Sequence, residues 1–269
     1  MFTTDTFRTV EDFRGDIYKG GIFRLPSTAE TRELMAHISS LLEQNFGPLA
    51  SVHTRFDFIS MKQPLATLRK KLTAEPRYTE SLAAIATVAG APSELAFDSL
   101  RLRCVLPGNH LNKGAEVAYA AHRDTWYGNP QCQINFWIPL QNVTEEQSFM
   151  FFPDVFNTAV PNTSNTFRYD DWMEEHGWQG SKSHAPVTFP APLQTPLNGR
   201  AFSARAGDII AFSAAQLHQT VRNSSGMTRF SLDFRAVHLA DHAGGRGAPN
   251  ADNASAPGAL RDYLFPRAA

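Results

Sequence analysis

Apolar residues recur at helical spacing through the first third of the chain. Between 29 and 46 they return every three or four positions, with Ser27 or Thr28 as a plausible cap and Gly47-Pro48 as a stop. Two further apolar stripes follow, separated by Pro76. The residues of the three stripes are Leu34, Met35, Ile38, Leu41, Leu42, Leu65, Leu68, Leu72, Leu82, Ile85 and Val88. We therefore expect 1–95 to form a helical support that packs against a sheet.

The apolar period shortens from about residue 96 onward. Short segments then alternate polar and apolar residues or are wholly apolar, and most have no helix-length segment between them. The predicted strands lie within 100–106, 117–121, 131–140, 149–152, 201–203, 207–213 and 228–237. The pattern predicts a mainly β fold with flanking helices, whose antiparallel core, a jelly roll or barrel, spans 96–240.

Two segments interrupt or follow this core within the single domain that we predict for 1–269. The interval 157–199 is polar and rich in Pro, and an insertion of that length is usually functional. It contains one short helical pattern near 170–175. The segment 241–258 is rich in Gly, Ala, Asn and Pro, so we predict that 241–269 is a flexible tail, with 260–265 docking back on the core.

Composition excludes several classes of function. The chain has 25 Lys and Arg against 26 Asp and Glu, so no global charge favours nucleic acid or an anionic membrane. No apolar run reaches the length of a membrane span, and the first residues do not resemble a signal peptide. Cys104 and Cys132 lack a zinc-like spacing and are interpreted as reduced thiols, which favours a cytoplasmic protein.

A histidine and an aspartate two positions apart suggest a metal site. His122 and Asp124 lie in a predicted strand, where side chains at i and i+2 point to the same face, while Arg123 would turn away. His218, which follows the apolar strand of 207–213, is the best candidate for a third ligand. Two histidines and one carboxylate with open coordination positions are the ligand set of non-haem Fe(II) oxygenases. We predict that these three residues bind a metal.

Alternate residues of the last predicted strand form a second polar set. By strand parity one face carries Arg229, Ser231, Asp233 and Arg235. A guanidinium beside a metal offers a planar fork for a carboxylate, and Ser231 on the same face can add a hydrogen bond. For Arg235 two interpretations stay open, namely contact with substrate or cosubstrate and an ion pair with Asp233, Asp208 or another acid.

In this ordered combination the sequence resembles the Fe(II)- and 2-oxoglutarate-dependent oxygenases, most nearly their phytanoyl-CoA hydroxylase-like branch. The resemblance covers roughly residues 100 to 237, and its pieces are His122-Arg123-Asp124, 207–212, His218 and Arg229-Phe230-Ser231. It implies a double-stranded β-helix in which the two histidines and the aspartate bind Fe(II). The resemblance also implies that the keto acid end of 2-oxoglutarate would chelate the iron and that its far carboxylate would meet Arg229 and Ser231.

The resemblance also implies an activity and further site residues. The expected reaction is the O2-dependent oxidation of a small metabolite, most simply a hydroxylation, with release of succinate and CO2. Desaturation, ring closure and epoxidation share the same iron chemistry and stay open. Polar residues at alternate positions after the His-x-Asp would face either the cosubstrate or solvent; they are Gln131, Gln133 and Asn135.

The substrate is indicated only weakly by the sequence. For Arg101, Arg103 and Arg200 two interpretations stay open, namely contact with an acidic substrate and a position on the surface. The run 69–71 is assigned to a solvated helix face. Large aromatic residues would line the pocket or serve ordinary packing; they are Trp126, Tyr127, Trp137, Trp172 and Trp178.

Three other classes of protein fit parts of this sequence pattern. His122-Arg123-Asp124 followed by Asn129 matches a protein-kinase catalytic loop, but the Gly-rich loop, the Val-Ala-Ile-Lys strand and Asp-Phe-Gly are missing. A cupin-like metal enzyme that does not use 2-oxoglutarate would share the metal ligands, although Arg229 and Ser231 count against it. A noncatalytic β-domain would bind neither iron nor 2-oxoglutarate.

Overall fold

Helices dominate the first third of the chain in the computed structural model, which describes residues 1–3, 8–112, 115–175, 188–196 and 198–265. α2 begins after Thr28, whose side chain accepts a hydrogen bond from the Thr31 amide, and ends at Gly47 with a φ of 71°. None of the helices in these ranges is both long enough and apolar enough to cross a membrane. The helices are α1 (Val10–Tyr18), α2 (Ala29–Phe46), α3 (Phe58–Thr73), α4 (Pro76–Ile85), α5 (Tyr169–Glu175) and α6 (Leu239–Ala243).

Nine strands of the described residues form two antiparallel sheets. The larger sheet has the order β1-β7-β4-β9-β2, with β3 also paired to β9, and the smaller has the order β6-β5-β8. The strands are β1 (Ile22–Leu25), β2 (Leu95–Phe97), β3 (Arg101–Val105), β4 (Gln133–Pro139), β5 (Phe149–Phe151), β6 (Arg200–Ala201), β7 (Ile209–Ser213), β8 (His218–Thr220) and β9 (Arg229–His238). The N-terminal third is not purely helical, because β1 pairs with β7.

The N-terminal helices and the smaller sheet cover opposite faces of the larger sheet. Phe136 of β4 stacks on Phe234 of β9, with ring centroids 4.8 Å apart, in the core that includes the buried faces of α2, α3 and α4. The next residue, Trp137, points the other way and meets Phe149 of β5 at 5.1 Å. The period-two pattern of β4 therefore separates a structural face from a face that looks into the space between the sheets.

The segment before the predicted metal ligands does not form a strand. A 3-10 helix, Glu116–Tyr119, replaces the strand expected over 117–121, and a second one, Asp124–Tyr127, begins at the aspartate itself. His122 lies between them in an isolated antiparallel bridge with His218. The alternating apolar residues before His122 therefore belong to tight turns and not to a strand paired in a sheet.

The insertion 157–199 is partly described. It contains the short helix α5, as the sequence predicts, and Trp172 of this helix is buried in an apolar cluster together with Trp126 and Tyr127. Trp178 and its neighbours in 176–187 lie outside the described residues.

The described part of the C-terminal segment, 241–265, contacts the core, whereas the sequence predicts a flexible tail over 241–269; residues 266–269 lie outside the described residues. The Asp241 carboxylate pairs with Arg14 of α1 at 2.7 Å, and both side chains are buried. Asp252 accepts hydrogen bonds from Arg123 Nε at 3.1 Å and from Trp126 Nε1 at 2.8 Å. Composition alone missed these contacts, because Gly and Pro also suit a chain that turns sharply while its few polar side chains are bonded. The docking expected over 260–265 is seen in a bridge between Leu264 and Phe97.

Candidate metal centre

Two histidines face each other across a backbone bridge. His122 N donates to His218 O at 2.9 Å, and His218 N donates to His122 O at 3.0 Å. Each ring also places Nδ1 at 3.0 Å from a backbone carbonyl two residues earlier, that of Ala120 for His122 and of Gln216 for His218. A proton on Nδ1 satisfies these carbonyls and leaves both Nε2 atoms as acceptors, which is the form in which histidine binds a metal.

The Asp124 carboxylate completes the cluster. Its Oδ1 lies 3.5 Å from His122 Nε2, and one ligand atom from each of His122, Asp124 and His218 lies within 4.8 Å of the others. The His-x-Asp pair converges as predicted, but it does so through the bridge and the following 3-10 turn. Arg123 points away into the protein, where it donates to backbone carbonyls and to Asp252.

The second oxygen of Asp124 is held by three donors. Asp124 Oδ2 accepts from Asn135 Nδ2 at 2.8 Å and from Gln133 Nε2 at 3.2 Å, and Arg235 Nε lies 3.3 Å away. Tyr263 from the C-terminal segment in turn donates to Gln133 Oε1 at 2.6 Å. With Oδ2 fixed in this way, Oδ1 is turned toward the two histidines.

These contacts change the interpretation of the polar residues on β4 and β9. Gln133 and Asn135 were expected to face the cosubstrate or solvent; the structure has both donating to Asp124, although Asn135 also lines the cavity. Arg235 makes the ion-pair contact considered for it, with Asp98 at 3.1 Å and with Asp124 rather than with Asp208.

The electrostatics of the cluster favour a charged carboxylate and neutral imidazole. Burial opposes ionisation of Asp124, but the positive charge of nearby Arg235 outweighs it, and the pKa of Asp124 is held well below its usual range. Burial and the neighbouring His122 lower the pKa of His218 to about 4. Both directions favour the protonation states that a cation requires.

Arg229 is a buried cation without a carboxylate partner in the described part of the chain. It is 4% exposed, and Nη1 donates to the carbonyls of Gln147 and Ser148 at 3.1 and 3.0 Å. Its Nε and the buried Ser231 hydroxyl have no hydrogen-bond partner among the residues that the structure describes. Burial lowers the pKa of Arg229 to about 10, so the group is still charged at neutral pH. A buried charge left unpaired in this way is unfavourable unless an anion meets it.

One cavity of about 420 Å³ joins the His122-Asp124-His218 cluster to Arg229. Its wall includes His122, Asp124, His218 and Arg229, and Tyr127 and Trp137 among the aromatic residues singled out from the sequence. Trp126 and Trp172 pack elsewhere in an apolar cluster. Arg101 and Arg103 also line the cavity, whereas Arg200 forms an exposed pair with Asp154. Gln131 is not among the residues that line the cavity, and its Oε1 has no hydrogen-bond partner among the described residues.

Sequence reasoning missed three residues that contribute to this site. Tyr263 acts through Gln133 from the C-terminal segment, which composition had assigned to a tail. Arg69 of α3 lines the cavity although it lies in a basic run assigned to solvent, and Tyr119 lines it from a 3-10 helix. In the sequence each of these residues is only a polar group in an apolar or Gly-rich surrounding, and that pattern does not show which residue it contacts.

Comparison with solved structures identifies the fold. EvdO2 from Micromonospora carbonacea var. aurantiaca superposes with a TM-score of 0.54 at 17% identity, covering 88% of this chain and 94% of EvdO2. The same protein complexed with 2-oxoglutarate gives a TM-score of 0.51 at 17% identity, covering 88% and 93% of the two chains. No protein-family model matches the sequence, and no curated protein matches it significantly. The chain therefore has the mixed helix and antiparallel-sheet fold of EvdO2, which is not a kinase architecture.

Proposed function

We propose that this chain is an Fe(II)- and 2-oxoglutarate-dependent oxygenase that hydroxylates a small metabolite, with release of succinate and CO2. The observation that carries the proposal is one cavity that holds both a His-Asp-His cluster and a buried, unpaired guanidinium. The fold shared with EvdO2, which has been solved with 2-oxoglutarate, supports the proposal. The proposal includes the assignment of the two sheets as a double-stranded β-helix. Its narrower link to the phytanoyl-CoA hydroxylase-like branch rests on the sequence motifs alone.

The donor set fits the two groups that the proposal requires. His122, Asp124 and His218 would hold Fe(II) on one side and leave positions open. Arg229 Nε and Ser231 Oγ, both buried and without a partner, would bind the far carboxylate of 2-oxoglutarate. Bound together, iron and 2-oxoglutarate would supply the oxidising chemistry that uses O2.

The chain's own residues would orient these groups. Gln133, Asn135 and Arg235 hold one carboxylate oxygen of Asp124, and the backbone bridge fixes the two histidines. Tyr127 stacks on His122 with ring centroids 5.1 Å apart, which limits rotation of that imidazole and covers one side of the cluster. The aromatic wall excludes water from the place where a substrate C–H bond would lie.

The test is anaerobic loading followed by exposure to O2. Adding Fe(II) and 2-oxoglutarate to the purified protein should produce a visible charge-transfer band, and O2 should then release succinate. Iron binding without the band would favour a cupin-like enzyme that does not use 2-oxoglutarate. Absence of iron binding would favour a noncatalytic domain. Either result would overturn the proposal.

A further inference from the structure

We propose that the primary substrate carries an anionic group, a carboxylate or a phosphate, and that Arg69 binds this group within the metal cavity. The inference rests on the proposed function, because it assigns a ligand to the part of the cavity that iron and 2-oxoglutarate would leave open. Arg69 belongs to α3, so the helical support would supply a specificity residue as well as packing.

Cationic side chains outnumber anionic ones in the wall of this cavity. Two aspartates line it, Asp124 and Asp233, and a third, Asp98, pairs with two of the arginines from behind. Fe(II) and the 2-oxoglutarate dianion would neutralise each other, so their binding would leave the positive excess in place. The five lining arginines are Arg69, Arg101, Arg103, Arg229 and Arg235.

Most of these arginines already have a carboxylate partner. Arg101 pairs with Asp98 at 2.6 Å, Arg103 with Asp233 at 2.6 Å, and Arg235 with Asp98 and Asp124. Arg229 is the residue that would meet 2-oxoglutarate. Arg69 remains, and across the ranges that the structure describes no carboxylate comes within 4.0 Å of its guanidinium.

The contacts of Arg69 hold the guanidinium at the cavity without neutralising it. Its Nε donates to Leu102 O at 2.8 Å, which fixes the side chain against β3. Burial and the charge of nearby Arg103 lower the pKa of Arg69 to about 10, so the group is still cationic at neutral pH. The next residue, Lys70, is exposed. Arg69 and Arg103 are neighbouring cations at one cavity, and a bound anion would stabilise both.

The aromatic part of the cavity wall suits the remainder of such a substrate. An apolar body would pack against these rings while its anionic end meets Arg69. The cavity volume of about 420 Å³ is within the range of small-molecule sites. These rings belong to Tyr127, Trp137, Phe149, Phe189 and Phe212.

Matched probes test the charge requirement directly. The full chain would be loaded anaerobically with Fe(II) and saturating 2-oxoglutarate, then titrated calorimetrically with 3-phenylpropionate and its neutral amide, and with phenyl phosphate and neutral phenol. At least one anion should bind about tenfold more tightly than its neutral counterpart, because a charged hydrogen bond is lost in the latter. The anion that binds more tightly shows whether the site prefers a carboxylate or a phosphate.

Variants of Arg69 assign the effect to this residue. Arg69→Met should weaken binding of the preferred anion about tenfold, and Arg69→Lys should restore part of it because the charge is kept. Lys70→Met, on the same helix but exposed, is the matched control and should bind like the unaltered protein. Equal binding of anion and neutral probe in both pairs, or unaltered anion binding by Arg69→Met, would overturn the inference. If the unaltered protein, loaded with Fe(II) and 2-oxoglutarate, shows no charge-transfer band before any probe is added, the proposed function would be overturned instead.

Discussion

Replacing Asp252 tests whether the C-terminal segment is part of the folded core. Its carboxylate accepts from Arg123 Nε at 3.1 Å, from Trp126 Nε1 at 2.8 Å and from the Val160 amide at 3.0 Å. The Arg123 and Asp252 side chains are 2% and 5% exposed. Asp252→Ala would therefore leave a buried guanidinium without its counter-charge.

The expected loss of stability follows from that burial. Removing one partner of a buried ion pair destabilises a protein by about 3–5 kcal/mol. Arg123 keeps carbonyl acceptors at Val155 and Thr158, 2.7 and 3.0 Å away, so we expect the lower end, about 3 kcal/mol. For a chain of this size that corresponds to a fall in Tm of about 6–12 °C. Asp252→Asn should lose less, because the amide oxygen still accepts a hydrogen bond.

Thermal unfolding followed by circular dichroism measures this fall. The control is Asp171→Ala, which removes the partner of Arg168 from a pair whose side chains are 65% and 68% exposed. That pair should contribute less than about 1 kcal/mol. If Asp252→Ala unfolds at the same temperature as the control, the segment is not held as described and our reasoning about it is wrong.

Three further predictions concern the site. Asp124→Ala should abolish Fe(II) binding and succinate release, and retained iron affinity by equilibrium dialysis would refute its role as a ligand. Arg229→Ala should weaken 2-oxoglutarate binding about ten- to hundredfold by titration of the charge-transfer band, and an unchanged dissociation constant would remove Arg229 from the cosubstrate site. Tyr263→Phe should lower iron affinity about tenfold, because Gln133 loses the donor that orients it toward Asp124; equal affinity would show that this outer contact is dispensable.

Strand parity predicted the parts of the site that lie on regular strands. In β9 the alternate residues Arg229, Ser231, Asp233 and Arg235 do share the face between the sheets, because a period of two is a property of the extended backbone. The apolar stripe of α2 likewise predicted its buried face, with Leu34, Ile38 and Leu42 in the core. Local periodicity is therefore sufficient to predict which residues share one face of a single strand or helix.

The remaining features depend on contacts that a local pattern does not encode. His122 and Asp124 converge, but they do so through a bridge and a 3-10 turn. The alternation of residues in this segment had predicted a strand. Parity placed Gln133 on the correct face without showing that it meets Asp124 and Tyr263, residues on other elements. Arg69 was assigned to solvent as part of the basic run 69–71. Lys70 and Lys71 of this run are exposed, whereas Arg69 is half-buried and lines the cavity.

The bridge between His122 and His218 has a consequence for engineering this protein. The two residues are aligned by main-chain hydrogen bonds, which any non-proline residue at either position can make. Exchanging an imidazole for another coordinating group would therefore leave the Cα positions of both ligands where they are. The site is a suitable scaffold for testing alternative ligand sets, since the spacing between the two coordinating positions does not depend on the side chains placed there.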